Sequence, residues 1–224
     1  MKKWTYIFAI IMLTVAVFLT WNWSLKSVSD QTIESENQEI QKRLNSDDQL
    51  VCILEIEKRT YKLGEIPELR VYIKNNSAET IFLLQPGFIE KRIVQDNIIL
   101  DRPINFKKVI YFCPMSGPID ESMLIRLEPN EKYYPLGQEY TTYHYSIENS
   151  DFNLPGTYQL HYWYNIDASL STVDEEIERI RLRHNEILNF NGFVNQDIVG
   201  LNEKLRQLRP IDISSNKMTV KYSF

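Results

Sequence analysis

The sequence predicts a mainly β chain: one antiparallel β-sandwich, interrupted near its C-terminal end by a helical hairpin and preceded by one long apolar helix. Three observations predict it. From Gln49 onward, apolar residues come in short runs, often alternating with polar ones, and Pro, Gly, Asn and Ser separate the runs. Residues 171–209 switch to a helical period. Residues 4–25 carry no charge at all.

The chain has 224 residues, which suits one domain plus an anchor. Apolar residues make up 43% and charged residues 25%, so the polar part can bury a real core. Only seven glycines occur, which argues against a Gly-rich loop cradling phosphate. The net charge is −5; residues 1–29 hold three lysines and no acid, which leaves −8 on the remainder. An acidic domain is a poor partner for nucleic acid, whose binding rests on cationic contacts to phosphate.

Three segments follow: residues 1–26 as an anchor, 27–48 as a polar helical linker, and 49–224 as the sandwich. The run Trp4–Leu25 has 22 residues. As a helix it reaches about 33 Å, against a hydrocarbon core of about 30 Å. Lys2 and Lys3 precede it and acids follow from Asp30, which sets the N-terminus inside and the domain outside a cytoplasmic membrane. Trp4 at one end, with Trp21 and Trp23 at the other, fits two interfacial belts. A cleaved secretory signal is the alternative, giving a secreted or periplasmic domain, since Tyr6–Leu19 has the length of a signal core. Against it, the nearest small-residue site is Ser27-Val28-Ser29, well downstream. In the linker, Ile33, Asn37, Ile40 and Leu44 recur at helical spacing.

Strands are expected over Leu50–Glu57, Leu69–Lys74, Thr80–Leu84, Met123–Leu127, Thr157–Ile166 and Met218–Phe224. Ile98–Leu100 and Val109–Phe112 read as further strands or as part of a long excursion. In 171–209, Thr172-Val173-Asp174-Glu175 is a capping box, and Val173, Ile177, Ile180 and Ile187 share a face. Asn189–Phe193 reads as the turn. Ile198, Leu201, Leu205 and Leu208 line a second helix, with Pro210 as its stop. The expected object is a helical hairpin inserted between the last two strands.

Several phrases fall in the order seen in bacterial immunoglobulin-like domains. They are Tyr61-Lys62-Leu63-Gly64-Glu65 with Leu69–Ser77, Leu127-Glu128-Pro129-Asn130-Glu131-Lys132-Tyr133, Leu154-Pro155-Gly156-Thr157-Tyr158 and Ser215–Val220. Residues 50–166 and 213–224 thereby resemble the BsuPI-type intracellular proteinase inhibitors. The resemblance implies an immunoglobulin-like fold and, as one functional expectation, inhibition through an exposed loop; it brings no catalytic residues. Tyr158, just after Pro155-Gly156, stands where a tyrosine corner would bond its hydroxyl to upstream backbone.

Chemistry is sparse. His144, His161 and His184 stand in no paired metal spacing, and no nucleophile elbow or phosphate loop occurs. No catalytic, cofactor-binding or metal-ligating residue is singled out. Cys52 and Cys113 form a disulfide or remain two buried thiols. Tyr140, Tyr143 and Tyr145 form a candidate contact patch, since aromatics anchor interfaces. The expected function is a non-enzymatic, membrane-anchored binding or scaffolding module for another envelope protein or a glycan. The alternatives are the proteinase inhibitor and, further off, an envelope hydrolase.

Overall fold

A computed structural model of the protein describes residues 31–85, 94–101, 107–111, 121–142, 149–168, 173–175, 177–180, 182 and 198–224. The expected anchor over 4–25 lies outside the described residues, and among these no helix is long and apolar enough to cross a membrane. Two compact units divide the chain, Met1–Lys42 and Arg43–Phe224. A helix, α1, covers 31–44.

The second unit is mainly β. Its strands are β1 Leu50–Ile56, β2 Thr60–Lys62, β3 Leu69–Asn75, β4 Ile81–Leu84, β5 Val94–Asp101 and β6 Lys107–Tyr111. They continue as β7 Leu124–Leu127, β8 Lys132–Tyr133, β9 Gly156–Ile166, β10 Ile211–Ser214 and β11 Met218–Ser223. The first sheet has the order β1-β3-β8 and the second β2-β11-β9-β5-β6, with β10 also on β9; β4 and β7 form a separate pair. Among the described residues, all strand pairings are antiparallel except β2 on β11. Strand β1 lies against β9, β10 and β11, so the two large sheets meet.

Alternation decides what is buried. Along β9, Tyr158, Leu160, Tyr162, Tyr164 and Ile166 are buried while Thr157 and Gln159 are exposed. Met218, Val220 and Tyr222 of β11 and Ile98 and Leu100 of β5 complete that apolar face. Leu54 and Ile56 of β1, with Leu69, Val71 and Ile73 of β3, supply the facing sheet. Buried phenols still find partners. Tyr164 Oη donates to Leu84 O at 2.7 Å and accepts from Leu84 N at 3.1 Å, which pins β4 to β9. Tyr222 Oη donates to Glu65 O at 3.0 Å. Rings cluster at one end of the core: Tyr222 stacks on Tyr61 and on Phe152, the latter with centroids 4.8 Å apart, and Tyr158 meets Phe152 and Tyr222 at an angle.

Of the two readings of 98–112, further strands hold: β5 and β6 pair from Asn97 with Tyr111 to Asp101 with Lys107. One expectation changes. The insertion does not separate the last two strands; it separates β9 from β10, a strand absent from the expected set. Among its described residues, 173–175, 177–180 and 182 are helical, here α2, as is α3, Ile198–Leu205. The proposed turn 189–193 lies outside the described residues. Val173, Ile180, Leu201, Leu205 and Leu208 are buried, as an apolar helical face requires. Helix α3 stops before Pro210: Gln207 N donates to Lys204 O and Leu208 N to Leu205 O, tightening the end into a 3-10 turn.

Candidate functional site

Strands β10 and β11 run end to end along β9, and the joint between them organises the site. Ser215 pairs with Tyr162 through its backbone N (2.8 Å to Tyr162 O) and through its side chain, where Tyr162 N donates to Oγ at 2.9 Å. Met218 already pairs with Leu160. Three steps on one strand thus oppose two on the other, which is a β-bulge. The bulge turns Asn216 toward β1. Its Oδ1 accepts from Leu54 N at 2.9 Å and its Nδ2 donates to Leu54 O at 3.0 Å. Asn216 is fully buried. A side-chain amide thereby stands in for a neighbouring strand at one rung of the β1 edge.

Past that rung the edges of β1 and β10 border a cleft of about 480 Å³. Leu50, Val51 and Cys52 line one side, Arg209–Ser214 the other, with Arg43, Asp48, Gln49 and Ile81 around them. The charged groups here are already engaged. Arg43 Nη1 donates to Ser214 O at 2.9 Å, and Arg209 Nη2 meets Glu79 Oε2 at 3.2 Å. Asp212 Oδ1 accepts from Trp163 Nε1 at 2.5 Å, and Asp48 Oδ2 accepts from Ser46 Oγ at 3.0 Å. Cys52 is a buried free thiol, and burial pushes its pKa up, away from a reactive thiolate. Cys113 lies outside the described residues.

A second feature occupies the other face of the first sheet. Arg70 and Glu55, opposite each other on β3 and β1, form an ion pair in which Arg70 Nε donates to Glu55 Oε2 at 2.7 Å. The Glu55 hydrogen bond raises the Arg70 pKa further. The Arg70 guanidinium lies over the Tyr140 ring, 4.5 Å from its centroid. Alongside, Lys132 Nζ sits 4.1 Å from the Tyr72 centroid, and Tyr72 and Tyr134 are 5.8 Å apart. Desolvation, with Glu55 and Tyr134 adding, pushes the Tyr72 phenol up to about 12. Tyr140 is therefore partly enclosed and held by Arg70. Tyr143 and Tyr145 lie outside the described residues.

Tyr158 Oη donates to Leu154 O at 2.9 Å, a phenol bonded to backbone four residues upstream. Carboxylates at the β7–β8 turn are engaged in hydrogen bonds. Glu131 Oε2 accepts from Glu128 N at 2.8 Å, and Glu128 Oε2 accepts from Thr80 Oγ1 at 2.6 Å. His161 sits on the outward face of β9, whereas His144 and His184 lie outside the described residues. Among the described residues, no group of three or more His, Cys, Asp or Glu could hold a metal ion.

Sequence reading missed the cleft. The signal available was Ile211-Asp212-Ile213-Ser214, which alternates apolar and polar residues with period two. No family model, no curated protein and no solved structure matches the chain.

Proposed function

We propose that the chain is a non-enzymatic binding or scaffolding module: an immunoglobulin-like sandwich tethered by residues 4–25 to the outer face of a cytoplasmic membrane. Its partner is another envelope protein or a glycan. The passage of the chain from β1 in one sheet to β2 in the other, where β2 lies parallel to the last strand, supports the immunoglobulin-like assignment. The apolar run flanked by Lys2 and Lys3 and by Trp residues supports the tether.

The observation that carries the binding reading is the β1–β10 cleft. Each of its four charged side chains is tied to a structural partner, and its thiol is held protonated by burial. Such a lining can hold a ligand; it offers no poised base or nucleophile.

Photocrosslinking in native membranes tests this. A crosslinkable residue at Gln49, on the cleft rim, gives a discrete adduct, and one at the exposed Thr157 gives none. Absence of an adduct at Gln49, or the same adducts from both positions, contradicts the reading. Alkaline extraction of the same membranes tests the tether, which requires an uncut chain left in the pellet.

A further inference from the structure

We infer that the β1 lip of the cleft takes an extended segment of a partner polypeptide as an added strand. This rests on the binding-module reading and names the partner class.

The phase of the backbone groups on β1 follows from bonds at its two ends. Asn76 N donates to Gln49 O and Glu57 N to Glu68 O, so the odd-numbered residues turn their main-chain groups toward β3. The even-numbered ones point away from β3. Leu54, which gives both its groups to Asn216, belongs to this second set. Leu50 and Cys52 share its phase, spaced at about 7 Å per two residues. Both line the cleft, and among the described residues their N–H and C=O groups make no hydrogen bond on that side. The opposite lip repeats the pattern. Ser215 N donates to Tyr162 O, which sets Ile211 and Ile213 toward β9 and turns Asp212 and Ser214 to the cleft. Ser214 O is taken by Arg43.

An edge with unpaired donors and acceptors templates another strand. Here the adjacent rung already shows what the edge accepts, because the Asn216 amide pairs with Leu54 in both directions as a peptide group would. The charges of the lining cancel, two arginines against two aspartates, so the cleft does not select an anionic polymer. Its apolar lining is Leu50, Val51, Ile81, Pro210, Ile211 and Ile213. Side chains on one face of an added strand would meet that surface. The occupant is thus extended, uncharged, rich in Val, Ile or Thr, and free of proline over the paired stretch.

The test uses the full chain in detergent micelles and a displayed library of random linear peptides, followed by synthetic versions of an enriched peptide methylated at one backbone nitrogen at a time. Strand addition predicts β-branched, proline-free hits. It predicts a loss of about tenfold in affinity at every second amide, the scale of one hydrogen bond, and little at those between. It also predicts slower hydrogen exchange at the Leu50 and Cys52 amides when peptide is bound, with Val51 and Ile53 unchanged. No enriched peptide, a methylation profile without alternation, or unaltered exchange at Leu50 and Cys52 overturns the inference. A Gln49 adduct in membranes combined with any of these leaves the binding reading standing and removes strand addition alone; loss of the adduct removes both.

Discussion

At Leu54 the outer edge of β1 is closed by Asn216, while at Leu50 and Cys52 the same edge faces a cleft. The difference extends through the domain. Beyond Leu54, toward the start of β9, lies the aromatic end of the core, where Phe152, Tyr158 and Tyr222 are almost wholly buried. Each of the two phenols bonds a backbone carbonyl there. On the cleft side, the rim is held by polar ties, among them the exposed ion pair of Arg209 with Glu79 and the Arg43 bond to Ser214 O. One half is built for stability, because apolar burial is the dominant favourable term in folding. The other keeps backbone groups open at some cost in stability, a pattern found at binding surfaces.

The comparison makes graded predictions, beginning with alkali. Desolvation raises the phenol pKa values of Tyr61, Tyr72 and Tyr222 above their ordinary value, that of Tyr72 to about 12. Their stabilisation is whole below the unfolded value near pH 10, and it is lost as pH rises through the folded values. A pH series should therefore show cooperative unfolding between about pH 10 and 12, with phenolate absorbance of the buried rings appearing only as the fold is lost. Phenolate absorbance at full amplitude in a still-folded domain would break the claim that these phenols are shielded from water.

Phe152→Ala should cost about 4 kcal/mol in a urea melt, the scale of a fully buried aromatic truncation. Asn216→Ala should cost about 3 kcal/mol, since it strands both main-chain groups of Leu54 in the interior. Tyr158→Phe, which deletes only the hydroxyl bonded to Leu154 O, should cost about 1 kcal/mol. At the other end of the scale, Arg209→Ala should move the melt by less than about 0.5 kcal/mol, because its ion pair with Glu79 is exposed. An Arg209→Ala effect as large as that of Asn216→Ala would erase the division between the two halves.

The local half of this picture was legible in the sequence. Val71-Tyr72-Ile73 and Tyr158–Ile166 announce strands because each strand carries its own pattern. The turn before Tyr158 is likewise local, since its bond spans four residues. Distant ties were not legible. Asn216 and Leu54 are 162 residues apart, and nothing around Ser215-Asn216 says which strand its amide will meet. Strand β10 escaped because four alternating residues beside Pro210 are too short to outweigh the helical period before them. The guanidinium over the Tyr140 ring comes from Arg70, seventy positions upstream, a contact that local composition does not encode.

Amide hydrogen exchange measured residue by residue along β1, on the full chain without ligand, tests the open edge most directly. The structure predicts that Val51 and Ile53, paired with β3, and Leu54, paired with Asn216, exchange slowly. Cys52 and Leu50 should exchange at least about tenfold faster although Cys52 is buried. Protection of Leu50 and Cys52 equal to that of Leu54 would mean that the edge is closed along its whole length, and the division of β1 into a sealed and a receptive half would be wrong.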